Sequence, residues 1–277
     1  MEYIELKISA TSEMDAEIYM AHLSDFPFDS FSYEDDSLLA YAPSDDYAAC
    51  AEQVEELLRS CGAEFCSTQV EQQNWNSEWE DNFEPVNVNS IPPIRIRGPH
   101  HAAPAEGVID VVIAPRMSFG TGHHNTTALM VEHIANIGFS GQRGLDMGCG
   151  TGVLAIAALK CGAESMMAVD IDDWACDSCR DGVELSGVAD RVEVRCGSID
   201  VVRGEKYDFV LANINRNILL NMMPSFAEAL SSGGKLLMSG FFIDDAPVIE
   251  SAAAEYGFAV AACQEREGWT VMYCVKS

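Results

Sequence analysis

The chain has 277 residues, enough for one large domain or two modest ones, and either arrangement can bury a substantial core. Its 44 Asp and Glu against 16 Lys and Arg give a formal charge of −28, which argues against nucleic acid or anionic membrane as a partner and in favour of a basic one. No apolar run approaches the roughly 20 residues of a membrane span, the start Met1-Glu2-Tyr3-Ile4-Glu5 lacks the basic, apolar opening of a signal peptide, and ten scattered cysteines fit reduced thiols in a cytoplasm.

The acidity is uneven. Residues 1–84 hold 21 acids and two bases, Lys7 and Arg59, a balance of −19, which leaves −9 for the rest. Docking of a basic partner and plain solubility are both uses for such a surface. In chain order, Ile4, Leu6 and Ile8 alternate as in a half-buried strand, and Thr11 or Ser12 can cap a helix carrying Ile18, Met20, Ala21 and Leu23. Strands follow at 28–33 and 38–42 around the hairpin residues Glu34 to Ser37. Ser44 or Asp45 can cap a second helix that turns Ala51, Val54, Leu57 and Leu58 inward and ends at Gly62, before a strand at 64–70. The order βαββαβ over residues 1–71 points to a small ferredoxin-like α+β domain.

Residues 72–85 carry Trp75, Trp79 and Phe83 at intervals of four, as expected of a helical linker with one aromatic edge that docks on a domain. Residues 86–277 then form the second domain. It begins with a small β segment over 86–118, in which 91–96 pairs with 108–113 across a surface loop containing His100 and His101. Phe119-Gly120-Thr121-Gly122-His123 leads through Thr126 and Thr127 into an apolar-periodic helix, 128–137. Backbone donors and hydroxyls at a helix start suit a carboxylate such as that of a bound amino acid, although an elaborate helix cap would look similar.

The centre of the chain is Leu145 to Leu154, where a short apolar strand runs into Gly148, Gly150 and Gly152 and then into a helix. Glycine lets the strand turn sharply and lets a ligand lie against the backbone at a helix N-terminus. A second strand ends one βαβ unit later in Asp170, where Rossmann-type folds place an acid on ribose hydroxyls. The third glycine comes one residue too early for a dinucleotide, with Val153 in its place. Asp146 would repel a pyrophosphate but suits an amino-bearing ligand. This combination resembles motif I of the class I methyltransferases, which bind S-adenosylmethionine.

Helix and strand then alternate: helix 173–186, strands 192–196 and 208–214, helix 216–231, strand 235–240 and helix 245–256. A closing pair, 258–263 and 269–275, is too closely spaced for a crossover helix and so forms a hairpin. The fold class expected is α/β, a Rossmann-like seven-stranded domain with one terminal antiparallel strand, as class I methyltransferases have. Cys176 and Cys179 lie three apart in a helix with no second Cys or His pair at zinc spacing, so they read as buried structural thiols.

Several stretches together are similar to the PrmA family, bacterial methyltransferases of large-subunit ribosomal protein eleven. They are Asn74-Trp75 to Val86, the Phe119 to Thr127 motif, Leu145 to Ala158, Asp170-Ile171-Asp172, Ala212-Asn213-Ile214 and Ser239-Gly240. The resemblance implies that the domain at 1–71 recognises the substrate and that lysine side chains and the N-terminal amine of the ribosomal protein receive methyl groups from S-adenosylmethionine, leaving S-adenosylhomocysteine. It implies cofactor contacts at Thr127, Gly148, Asp170 and Asn213. Phe119, Gly120, Thr121, Gly122, Asp146 and Gly150 join them as candidates, and Asn213 is the catalytic candidate that would aim the amine. Methyl transfer from a sulfonium is an in-line displacement that requires no metal. Two departures from the family bear on the site: Ala114 to Ser118 replaces an Asp-Pro-Gly opening, and Asn215 stands where an apolar residue is common. Rival readings are a noncatalytic S-adenosylmethionine-binding docking protein, a methyltransferase of another basic protein or small amine, and a nicotinamide dehydrogenase.

Overall fold

Alternating apolar residues at the start of the chain make β1 (Glu2–Ser9), and its inward face organises the first of two units, Met1–Trp75 and Asn76–Ser277. The computed structural model describes residues 2–10, 12–23, 26–28, 30–34, 36–71, 83–114 and 120–277. The first unit continues with α1 (Glu13–Leu23), β2 (Ser30–Glu34), β3 (Ser37–Pro43), α2 (Ser44–Ser60) and β4 (Phe65–Glu71). The sheet order β2-β3-β1-β4, antiparallel throughout, is that of a ferredoxin-like sandwich. Register pairs Leu6 with Ala40 and Ile8 with Leu38, so the period-two pattern of both strands falls on one face, where Val54 and Leu58 of α2 cover it.

Two local expectations are corrected. Ile18 and Met20 of α1 are exposed, and Ala16 and Leu23 supply its buried face, because one helical stripe cannot hold 18, 20 and 23 together. The Ser12 hydroxyl accepts from the Asp15 N–H (3.2 Å) at the start of that helix. Neither Ser44 nor Asp45 is the N-cap of α2. Strand β3 runs straight into the helix, Pro43 is the N-cap residue, and no side chain caps it.

Most of the linker, residues 72–82 with Trp75 and Trp79, lies outside the described residues, and 83–85 are not helical. Phe83 is buried in the second unit, edge-on to the rings of His101 (5.8 Å) and His123 (5.1 Å). That unit opens with β5 (Val86–Val88), β6 (Ile94–Arg97) and β7 (Ile109–Val112), β6 pairing antiparallel to β5 and parallel to β7. The Arg97 guanidinium closes the intervening loop with two bonds to Asp110 (2.8 and 2.9 Å) and one to the His101 carbonyl (2.8 Å).

The remaining elements are α3 (Asn125–Ile137), β8 (Arg143–Met147), α4 (Val153–Lys160), β9 (Ser165–Asp170), α5 (Asp173–Leu185), β10 (Val192–Cys196), β11 (Tyr207–Asn213), α6 (Arg216–Ala229), β12 (Leu230–Phe242), α7 (Ala246–Glu255), β13 (Phe258–Arg266) and β14 (Trp269–Lys276). They build a seven-stranded sheet in the order β10-β9-β8-β11-β12-β14-β13. The expected hairpin is present, with its antiparallel strand β14 inserted between β12 and β13 rather than lying at the sheet edge. Both faces are covered. Phe209 and Leu211 of β11 pack toward α3 and α4, whereas Val210 and Ala212 pack toward α6 and α7. Every residue of α4 from Val153 to Leu159 is buried, which explains a helix apolar on all sides.

The cysteines depart from the expectation of ten thiols. Cys176 on α5 is joined to Cys196 at the end of β10 by a disulfide, with their Cα atoms 6.0 Å apart. Only tertiary packing brings together residues 20 apart in sequence here. Cys179, one turn along α5, remains a buried thiol beside Cys149.

Candidate active site

Strands β8, β9 and β11 end side by side, and the strand order reverses between β8 and β11. Such a reversal leaves a crevice beyond the carboxyl ends, because the connections on its two sides leave in opposite directions. Gly148, Gly150, Asp170 and Asn213 all lie at this end of the sheet.

The glycine turn is held by its neighbours' backbone. The N–H groups of Gly148 and Cys149 both donate to the Val169 carbonyl (2.8 and 3.1 Å), and Gly150 N–H donates to Asp170 Oδ2 (3.0 Å). The other Asp170 oxygen accepts from Asp172 N–H (3.2 Å), so the carboxylate is aimed before any ligand arrives. Gly148 has φ +76°, and a Cβ there would collide with the Ile214 side chain. Glycine at 148 therefore serves both the turn and the seating of the residue next to Asn213.

Asp146, on β8, is fully buried. Its Oδ2 accepts from the Ala155 N–H in the first turn of α4 (3.1 Å), while Oδ1 has no partner. Burial pushes its pKa up to about 7; the Asp170 charge adds to the rise, and the Ala155 N–H opposes it. A buried carboxyl with one oxygen unpaired fits an incoming ammonium, which would restore the charged form.

The 120–127 segment joins the same crevice. Gly120 (φ +107°) receives a hydrogen bond on its carbonyl from the Thr151 hydroxyl (2.7 Å), which ties this loop to the glycine turn. Thr151 is a site residue that sequence reasoning passed over; its hydroxyl inside the glycine motif was the available signal. Thr121 Oγ1 lies 3.4 Å from His123 Nδ1, and a Cβ on Gly122 would meet Ile96, where the leading β segment packs on the loop. Helix α3 begins at Asn125 rather than at 128 because His124 caps it, its ring nitrogen accepting from Thr126 N–H (3.4 Å). Phe119 and the departure at 115–118 lie outside the described residues.

Asn213 closes the arrangement. It is 8% exposed, its Nδ2 donates to Thr127 Oγ1 (3.3 Å), and its Oδ1 has no partner. Thr127 is fully buried and is the hydrogen-bond partner that holds the Asn213 side chain at the strand end. A buried acceptor without a partner is costly unless something else completes it. Asn215 is the N-cap of α6, its side chain accepting from Asn217 N–H (3.0 Å).

Together the residues fit S-adenosylmethionine: a carboxylate for ribose hydroxyls, a buried acid for an ammonium, a glycine cradle, and an amide acceptor beside the crevice. Comparison with known proteins points the same way. A family model described as ribosomal protein L11 methyltransferase (PrmA) matches residues 3–277. The ribosomal protein L11 methyltransferase of Porphyromonas gingivalis is 36% identical over 267 residues, covering 95% of this chain and 91% of the relative. That of Bacteroides fragilis is 34% identical over 285 aligned residues, covering 98% of this chain and 99% of the relative. The crystal structure of a ribosomal protein L11 methylase from Lactobacillus delbrueckii subsp. bulgaricus matches with a TM-score of 0.64 at 27% identity, covering 70% of this chain and all of that one.

Proposed function

This chain belongs to the ribosomal protein L11 methyltransferase (PrmA) family, and on that premise we propose how its residues carry out the methylation. It is an S-adenosylmethionine-dependent protein methyltransferase with ribosomal protein L11 as substrate. Bound S-adenosylmethionine supplies a methyl group on a sulfonium, a good leaving group, so alignment and desolvation carry the rate. The acceptors we propose are lysine side chains and the N-terminal amine of L11.

On this reading Asp170 takes the ribose hydroxyls, Asp146 takes the ammonium of the methionine end, and Gly148 and Gly150 let the ligand lie against the backbone. Gly120, Thr121 and Gly122 line the methionine end together with Thr127, and Phe119 belongs to the same motif. The observation that carries the reading is the unpaired Oδ1 of Asn213, held in place through Nδ2 by Thr127 (3.3 Å). This oxygen accepts one N–H of the neutral amine and turns the nitrogen lone pair toward the methyl carbon. A lysine is only slightly neutral at pH 7, its reference pKa being ~10.4, so the amine must give up its proton, to water or a nearby acceptor, before attack. No metal takes part in these steps.

We further assign the acidic unit at 1–71 to docking of the basic substrate, since residues 1–71 carry 17 acids against two bases. The enzyme then works in the cytoplasm, without binding nucleic acid or membrane; among the described residues no helix is long and apolar enough to cross a membrane.

The test is mass spectrometry of purified L11 incubated with this protein and S-adenosylmethionine. Mass added in single-methyl steps on lysine or the N-terminus is expected. No added mass, with cofactor binding confirmed by calorimetry, would refute the substrate; no cofactor binding would refute the site.

A further inference from the structure

Four cysteines lie near the glycine turn and the end of β9, Cys149 and Cys179 beside the turn and Cys176 and Cys196 at the Asp170 backbone, and the second pair is positioned for chemistry of its own. Cys196 ends β10 directly opposite Asp170 in the parallel register, and the next residue, Gly197, donates its N–H to the Asp170 carbonyl (2.7 Å). Cys176 projects from the first turns of α5, with its sulfur 3.5 Å from that same carbonyl. The bond between the two cysteines therefore ties strand to helix across the backbone of the residue whose carboxylate faces the crevice.

The two sulfurs differ in the ways that matter for reactivity. Cys176 is fully buried, whereas Cys196 is half-buried and has the Arg180 guanidinium at 3.7 Å, which also pairs with Asp177 (2.7 Å). A cation beside a partly accessible sulfur favours the thiolate, the form that attacks disulfides. Cys149 and Cys179, the neighbouring pair, are both buried.

We propose that Cys176 and Cys196 form a reversible thiol–disulfide couple that controls how tightly the cofactor site holds its adenosine end. In the oxidising direction, the Cys196 thiolate attacks a low-molecular-weight disulfide such as oxidised glutathione, forming a mixed disulfide and releasing one thiolate. Cys176, deprotonated in turn, attacks Cys196 Sγ and expels the second glutathione thiolate. The sum is two protein thiols and one glutathione disulfide giving one protein disulfide and two glutathione thiols; a dithiol reductant reverses it. With the bond closed, α5 and β10 are tied covalently across the Asp170 backbone and stiffen the turn that its hydrogen bonds already shape; with it open, they are joined there by packing and the Arg180 contact, and some of the binding energy goes into ordering the turn.

The inference rests on Asp170 as part of the cofactor site, and the experiment separates the two. Purified protein is equilibrated with oxidised glutathione or with dithiothreitol, denatured, alkylated and weighed, and a parallel sample is titrated calorimetrically with S-adenosylhomocysteine. Eight alkylated cysteines are expected after oxidation and ten after reduction, with peptide mapping placing the link at 176 and 196. The oxidised protein is expected to bind about threefold or more tightly than the reduced one. Cys196→Ser should abolish the difference, and Cys176→Ala serves if that variant folds poorly. Cys263→Ser, an exposed cysteine elsewhere, should retain it. Ten alkylated cysteines after oxidation, a link at 149 and 179 instead, or equal affinity in both states would overturn the proposal. Failure of the ligand to bind in either state would overturn the cofactor site itself.

Discussion

Acidification should weaken cofactor binding through a single buried carboxyl, Asp146. Its pKa is raised from 3.8 to about 7, desolvation being the chief cause. The folded, ligand-free protein therefore protonates this group near pH 7, whereas the unfolded chain does so only near 3.8. Its contribution to stability is complete below the unfolded value and is lost as the pH rises through the folded one. A shift of about three units corresponds to ~4 kcal/mol, a large fraction of ordinary domain stability of roughly 5–15 kcal/mol. The carboxylate is thus costly in the empty site and becomes favourable only when an ammonium meets the unpaired Oδ1. At pH 6 about nine in ten of these groups carry a proton, so affinity for S-adenosylhomocysteine should be about tenfold lower than at pH 8. Calorimetric titrations at pH 6, 7 and 8 measure this directly. Asp146→Asn should bind weakly with a flat profile, and its thermal stability without ligand should lack the decline expected of the parent protein as the pH rises from 3.8 to about 7. A flat profile in the parent protein, or the same slope in both proteins, would refute the reasoning.

Asn213→Ala removes the unpaired acceptor and should lower kcat by about 100-fold or more while changing the Kd for S-adenosylhomocysteine by less than about threefold; equal losses in both would remove its amine-aiming role. Gly148→Ala should lose cofactor binding as well as turnover, measured by calorimetry and methyl incorporation, because its φ of +76° disfavours alanine and the new Cβ meets Ile214. Thr151→Val leaves the Gly120 carbonyl without its 2.7 Å donor. The expected cost is about 1–3 kcal/mol in thermal or denaturant unfolding, with weaker cofactor binding as the two loops separate.

Much of the architecture is legible in local periodicity. The alternation at Ile4, Leu6 and Ile8, the helical spacing of Val54 and Leu58, and the short gap before Trp269 each reflect forces acting over a few residues, and all appear in the fold. The glycine turn was legible for the same reason, since a strand that must reverse into a helix needs residues that tolerate positive φ, and Asp170 was legible as the acid that ends the next apolar strand. Ile18 and Met20 misled because an apolar residue on a helix does not declare which side faces the sheet.

The sequence by itself determined the element order, the glycine-rich crevice with its acids, and the family to which those motifs point. Tertiary structure alone decided that Thr151 ties the two loops together, that Gly148 makes room for Ile214, and that Cys176 meets Cys196. It also decided that Asp146 loses its water while Asn213 keeps one oxygen unpaired. These are properties of neighbours distant along the chain. A side chain's solvation and partners are set by what folding packs around it, and that environment gives an ordinary aspartate or asparagine its chemistry.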